Sequence, residues 1–345
     1  MKIVVRGTNW IGDSVMSIPA LRALRKVFPD AEITLHIRSW AEELFRDADF
    51  IDYLITYDRP QSSFAEVRSQ AQLLREQKFD VAVVFPNSFA SALTTRMARI
   101  PKRIGFSKEF RRILLSDAID IPIWKSERHE AFYYLKLIEE LESRVLGTST
   151  VSSIEPSILL KVSDERKNAV RKFLQDRGID LSRPLIAFGP GSTNSMAKRW
   201  PTERFAELSD RLAQTGATIL LIGGPDDRDA GELIVAKTKF RIIDLIEETS
   251  LLEAAAILSV CDLMISNDMG LAHLSPAVGT RTIVLFGPTN PVTTRPLSDL
   301  AEIIRVDVEC SPCMLRECPI DHRCMTRISV DRVFESAINA LKIND

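Results

Sequence analysis

Short apolar runs rich in β-branched residues alternate with amphipathic stretches along this chain, and the rhythm stops once and then restarts. Lys2–Gly7 (KIVVRG) reads as a buried strand followed by a tight loop, TNWIGD. Ser14–Phe28 then places Met16, Ala20, Ala23 and Val27 at helical spacing, with Pro29 as a stop. Glu32–Ile37, Tyr53–Tyr57 and Asp80–Pro86 read as further strands, with a helix at Phe64–Gln77 between the last two. This βαβ rhythm predicts a parallel sheet covered by helices on both faces.

The rhythm breaks at 143–156 (SRVLGTSTVSSIEP), a stretch rich in Ser, Thr and Gly. A strand at Ser157–Val162 and a charged helix at Asp164–Arg177 are expected next. Strands then recur at Leu185–Gly189, Thr218–Gly223, Ile242–Ile246, Leu263–Ser266 and Thr282–Phe286. Helices at Thr202–Gln214, Leu251–Val260 and Gly270–Val278 separate them. The chain has 345 residues, and at about 150 residues per domain that is room for two. The boundary falls between 145 and 184, dividing the chain into 1–165 and 166–345. The last helix, Val330–Leu341, is free to pack back on the first domain. The fold class is therefore α/β, with two doubly wound Rossmann-like domains expected to face each other across a cleft. Ligands of such sheets sit at the carboxyl ends of the strands, so the residues just after strands carry the weight of the functional argument.

Composition removes several classes of function. Lys plus Arg total 45 and Asp plus Glu total 47, a net charge of −2. A general nucleic-acid binder would carry a broad basic excess, so no nucleic-acid partner is expected. No apolar run approaches the roughly 18 residues that span a bilayer. Arg6 and Asp13 interrupt the opening residues, which do not read as a signal peptide, and a cytoplasmic location is expected. Five cysteines are too few for a disulfide scaffold in a chain of this length.

Asp13 ends the first loop at the entrance of a helix, where it is either an N-cap or a carboxylate able to take a proton from a substrate hydroxyl; Gly12 beside it permits close backbone approach. In GPGSTNSMAKRWP (189–201), Gly189, Gly191 and Ser192 follow a strand and offer N–H groups to an anion, and Lys198 and Arg199 add cationic donors; a solvated loop is the alternative. The Walker spacing is absent. In SNDMGLAH (266–273), Asp268 and Gly270 stand where a helix begins, a position suited to a diphosphate or to a plain cap. His273 in the same segment reads as a packed histidine rather than a metal ligand. Asp226, after another strand, is placed to meet ribose hydroxyls or to close a turn. Seven basic residues in 96–112 make a patch for a polyanion or an anionic membrane, or a solvated face. Cys310, Cys313, Cys318 and Cys324, with His322, have spacing compatible with a structural zinc site or with a free-thiol loop.

Taken in order, KIVVRGTNWIGDSVMSIPALRALR, PNSFASAL, RIGF, PGSTNSMAKRWP, SNDMGLAHL, LFGPTNP and PCMLRECP span nearly the whole chain. Together they resemble glycosyltransferase family 9, the ADP-heptose:lipopolysaccharide heptosyltransferases, and most of all its heptosyltransferase II members. The resemblance implies a GT-B fold whose second domain binds the donor. It implies transfer of L-glycero-D-manno-heptose from ADP-heptose to an inner-core heptose of the lipid A-core oligosaccharide, with inversion and without a cofactor or catalytic metal. Asp13 matches the family's base and Lys198 its phosphate-binding lysine. Donor contacts are implied for Gly191, Ser192, Thr193, Asp226, Asp268, Met269, Gly270 and His273. Acceptor contacts are implied for Trp10, Gly12, Asn87 and Arg103. Contact with the inner membrane would be peripheral. A transferase or epimerase using another nucleotide sugar, or a non-catalytic nucleotide- or lipopolysaccharide-binding homologue, are the alternatives. Met269 replaces the usual Ser or Thr, which leaves only a backbone N–H there. Pro276 replaces a small residue and predicts a helix that starts late or kinks.

Overall fold

A computed structural model describes residues 1–58, 63–193 and 195–342, and the chain divides into two units, Met1–Ile158 and Leu159–Asp345. The sheet of the first unit holds β1 (Lys2–Arg6), β2 (Glu32–Arg38), β3 (Tyr53–Tyr57), β4 (Val81–Val84), β5 (Lys102–Phe106) and β6 (Asp117–Ile119). Their order is β3-β2-β1-β4-β5-β6, with every pairing parallel. The second unit holds β7 (Leu185–Gly189), β8 (Thr218–Leu221), β9 (Ile242–Asp244), β10 (Leu263–Asn267), β11 (Arg281–Phe286) and β12 (Ala301–Arg305). Their order is β12-β11-β10-β7-β8-β9, again all parallel. Numbered from its own first strand, each sheet has the same order, 3-2-1-4-5-6. The order reverses between β1 and β4 in one unit and between β7 and β10 in the other, and a crevice opens outside the strand ends at such a point.

The strands next to each reversal are the most buried. Val81–Val84 is buried at every position, as are Leu185–Gly189 and Leu263–Asn267. Continuous apolar runs of this kind belong to parallel strands covered on both faces. Around the second sheet the core includes Phe188, Trp200, Phe205, Leu208 and Ile265. The terminal helix, Val330–Lys342, adds Val333 and Ala337 to that same core. Its apolar face is therefore used within its own unit.

Three sequence expectations give way. Ser157–Val162 is not a strand, although Leu160 N donates to Ala277 O at 2.8 Å. The first helix runs over Ile11–Val27, so it begins three residues before Ser14. The helix Gly270–Ala277 neither starts late nor needs a kink, because Pro276 is its penultimate residue. A proline there disrupts little, since the helix stops one residue later and Val278 N bonds back to Leu274 O at 3.1 Å. The helices Phe89–Met97 and Glu130–Leu146 and the strands β5, β6 and β12 were not evident from periodicity.

Candidate functional site

In the first unit, candidate residues follow β1 and β4, the two strands at the reversal. Trp10 is the N-cap of Ile11–Val27 and caps with no side-chain bond. Asp13 therefore lies inside the first turn, so the capping role open to it in the sequence is not the one it has. Its charge is favourably placed near the positive end of the helix. Trp10 is exposed, and Gly12 and Asp13 are half-buried. The buried Tyr134 has its pKa raised well above the usual range, first by burial and then by the negative charge of Asp13, which puts the carboxylate close to that ring.

Asn87 follows β4 and is held from two sides. Its Oδ1 accepts from Arg111 Nη2 at 3.2 Å and from Tyr133 Oη at 3.4 Å. Arg111 is fully buried, and burial lowers its pKa to about 10. It also donates to the main-chain carbonyls of Phe106 and Pro86. Arg103 is likewise committed to backbone, donating to Leu114 O at 2.9 Å and to the carbonyls of Ile100 and Pro101. The basic run 96–112 is thus not one patch. Arg103 and Arg111 brace the fold, while Arg96, Arg99, Lys108 and Arg112 are exposed.

In the second unit, the candidates follow β7 and β10. Lys198 Nζ lies 2.8 Å from Asp268 Oδ2, and Thr289 Oγ1 donates to that same oxygen at 2.7 Å. Asp268 is buried and Lys198 half-buried. Met269 is the N-cap of Gly270–Ala277 and offers no side-chain cap bond, so it does not occupy the first-turn N–H groups. His273 is buried within this helix. Ser192 is buried, whereas Thr193 is exposed.

Asn267, fully buried, staples the two loops together. Its Nδ2 donates to Pro190 O at 2.6 Å and Gly191 O at 3.2 Å, and its Oδ1 accepts from Trp200 N at 3.0 Å. Asp227 works beside it. Its carboxylate accepts from Gly224 N at 3.0 Å and from Ser192 N, with Arg199 Nη2 at 3.8 Å. A Cβ on Gly191 would lie 1.6 Å from Asp227 Oδ1, so only glycine fits against this carboxylate. Burial raises the pKa of Asp227. Asp226, the carboxylate singled out in the sequence, is exposed, and its carbonyl accepts from Arg199 at 2.9 Å. Asp227, Asn267 and Thr289 were not foreseen. A buried Asn just before a helix start, and a Thr just after a strand, are the weak signals that pointed to two of them.

The cysteine segment docks against the Lys198 turn. His322 Nε2 donates to Ala197 O at 2.6 Å, and Ala197 N donates to Arg316 O at 2.9 Å. Among the described residues no group of three or more His, Cys, Asp or Glu side chains is placed to hold a metal ion. Cys310, Cys313, Cys318 and Cys324 are free thiols. Cys324 has its pKa pushed up to about 11, by burial first and then by the other three.

Comparison with known proteins places this geometry. The family model "Glycosyltransferase family 9 (heptosyltransferase)" matches residues 67–323. Lipopolysaccharide heptosyltransferase 2 of Salmonella typhimurium is 33% identical over 320 residues, covering 89% of this chain and 88% of the relative. The same-named protein of Escherichia coli is 32% identical over 320 residues, covering 89% and 88%. The solved structure of E. coli ADP-heptose lps heptosyltransferase II superposes with a TM-score of 0.85 at 29% identity, covering 100% of this chain and 99% of that one. The chain belongs to glycosyltransferase family 9. It is a glycosyltransferase of the heptosyltransferase II type, with the two parallel six-stranded sheets of a GT-B enzyme.

Proposed function

We propose that this chain transfers L-glycero-D-manno-heptose from ADP-heptose to a heptose of the lipopolysaccharide inner core, with inversion at the anomeric carbon. The observation that carries this reading is the Lys198–Asp268–Thr289 group beside the start of Gly270–Ala277, a cation held at the positive end of a helix. An inverting transfer is one displacement. The acceptor oxygen forms a bond to the anomeric carbon as the bond from that carbon to the diphosphate oxygen breaks. The acceptor proton goes to the Asp13 carboxylate, and ADP departs with the electron pair of the broken bond. Lys198 and the N–H groups of Gly191 and Gly270 stabilise the charge that builds on the leaving diphosphate. The Arg199 guanidinium and the Asn267 staple keep the Gly191–Ser192 loop in place for that task. Trp10, Gly12 and Asn87 serve the acceptor.

The acceptor is a lipid-linked saccharide, so the chain must reach a membrane surface. Among the described residues no helix is long and apolar enough to cross one. Phe110 is 94% exposed and Ile123 is 98% exposed, with exposed Ile113, Lys108 and Arg112 nearby in sequence. Arg112 pairs with Asp120 at 2.9 Å, which ties the two segments carrying these side chains together. Apolar tips with basic neighbours suit peripheral contact with the anionic cytoplasmic face of the inner membrane.

The test is a product assay on the purified chain with ADP-heptose and a truncated core acceptor. The expected result is a product one heptose heavier and ADP release that depends on the acceptor. Acceptor-independent ADP release, or no heavier product, would refute the reading.

A further inference from the structure

The carboxyl end of β1, β2 and β3 holds a cluster of positive charge with no salt-bridge partner among the described residues. Arg6 is 3% exposed, and its Nη1 lies 3.1 Å from His36 Nδ1. Its guanidinium carbon sits 3.9 Å over the Tyr57 ring. The register sets Arg6 beside His36 and, two residues further along, Arg38 beside Tyr57, so the four side chains form a row of two adjoining pairs on one face of three strands. The row lies on the sheet face that carries Val4 and Ile55, which pack under the helix Phe64–Glu76.

Among the described residues no carboxylate acts on Arg6. The groups that act on Arg6 electrostatically are Tyr57 and a second cation, Arg38. Burial lowers the Arg6 pKa to about 10, so it remains charged at neutral pH. Burial, and then Arg6 itself, drive the His36 pKa well below its usual value, so that ring is neutral. Arg38 donates from Nη2 to Asp58 O at 3.3 Å. The buried Nε atoms of both arginines have no hydrogen-bond partner. Two guanidiniums thus stand close together with donors unused, although burying an unpaired charge costs several kcal/mol in general. The row also leads outward. Arg38 is half-buried, and Tyr57 Oη donates to Asn9 Oδ1 at 3.1 Å, on the exposed loop that carries Trp10 and leads to Asp13.

We propose that Arg38, backed by the buried charge of Arg6, binds an oxyanion substituent of the acceptor, a phosphate monoester or a carboxylate. Arg38 and Asn9 form the outer contact. Arg6 supplies positive potential from behind, in a low-dielectric setting where it is poorly screened. The identity of the anion's carrier rests on the heptosyltransferase reading, while the existence of the anion site does not.

Inorganic phosphate is the probe, added to the full chain already saturated with ADP so that the second unit's phosphate site is filled. The expected result is a phosphate-dependent rise in Tm of about 2–4 °C, absent with chloride at matched ionic strength. Arg38→Gln should lose more than half of that rise, and so should Arg6→Met. ADP must still stabilise each variant, which certifies that it is folded. An undiminished phosphate response in both variants, or an equal response to chloride, overturns the site. A second arm compares phosphorylated and dephosphorylated core acceptors. The wild-type preference in kcat/KM for the phosphorylated one should fall about tenfold in Arg38→Gln. An unaltered preference rules out a phosphate monoester as the acceptor's bound anion. If the wild type transfers no heptose at all, the functional reading fails while the phosphate arm still decides the site.

Discussion

The ammonium of Lys198 is held 2.8 Å from a buried oxygen of Asp268, and Thr289 donates to that same oxygen. The pairing fixes a flexible, strongly hydrated side chain beside a helix N-terminus before any donor arrives. Preorganisation of this kind lowers the cost of stabilising charge on a leaving diphosphate. Lys198→Ala should reduce kcat/KM for ADP-heptose by about 10²–10³. Asp268→Asn keeps a bond to Thr289 but loses the ionic hold, and should cost less. The double variant should cost well below the product of the two single effects, because both act through one ion pair. Steady-state kinetics on the four proteins checks this, and independent, multiplicative losses would argue against the pair acting as a unit.

Asp13 separates a chemical role from a structural one. It lies inside the first helical turn, two residues after Ile11 starts the helix, and Trp10 holds the N-cap position. Asp13→Ala should lower turnover by about 10²–10⁴, the scale of a lost general base. ADP affinity, measured by calorimetry, should stay near the wild-type value, since the ADP contacts proposed above all come from the second unit. Near-normal turnover would remove Asp13 from the chemistry.

The β-strands around each order reversal were legible because parallel strands buried on both faces read as unbroken apolar runs, as in Leu185–Gly189. Tyr53–Tyr57 and Thr202–Gln214 were likewise readable from local pattern alone. Ser157–Val162 looked equally strand-like, but neither sheet takes it up. Asp13, Lys198 and Asp268 could be singled out because motif and loop coincide there, on the segments that follow β1, β7 and β10. The buried role of Asp227 was not legible beside Asp226, since two adjacent aspartates look alike in sequence and only packing against Gly191 and Gly223 distinguishes Asp227. The bonds of Arg103 to backbone were not legible for a related reason: a basic residue in a basic run does not reveal whether its donors face solvent or carbonyl oxygens.

Gly191 tests the packing of the donor loop. Its missing side chain leaves room for the Asp227 carboxylate, which an added Cβ would meet at 1.6 Å. Gly191→Ala should destabilise the protein by about 1–3 kcal/mol and weaken ADP binding, because either the loop or the carboxylate must move. Adding Asp227→Ala should restore part of the stability but not the full ADP affinity, since Asp227 also accepts from Ser192 N. Denaturant melts and ADP titrations on both variants decide it. A well-folded Gly191→Ala protein with normal ADP affinity would contradict the tight fit.

Glu142 provides a pH-dependent test of the first unit. It lies near the end of Glu130–Leu146 and is buried. Its carboxylate accepts from Thr148 Oγ1 at 2.9 Å, Thr150 N at 2.8 Å, Thr150 Oγ1 at 2.7 Å and Val151 N at 3.0 Å, which ties down the chain just past the helix. Burial works to raise its pKa, but these donors outweigh burial and hold it below the usual carboxylate value. A carboxylate with a depressed folded pKa contributes stability that is fully present above its unfolded pKa, about 4.3, and is lost as the pH falls through the lower folded value. Glu142→Ala should therefore cost about 2–4 kcal/mol at pH 7, the scale of several buried donors left without an acceptor. The gap between wild type and variant should stay level from pH 7 down to about pH 5 and narrow below about pH 4.3. Urea unfolding midpoints across that range measure it, and a gap that widens on acidification would show that the bonds favour the protonated acid instead.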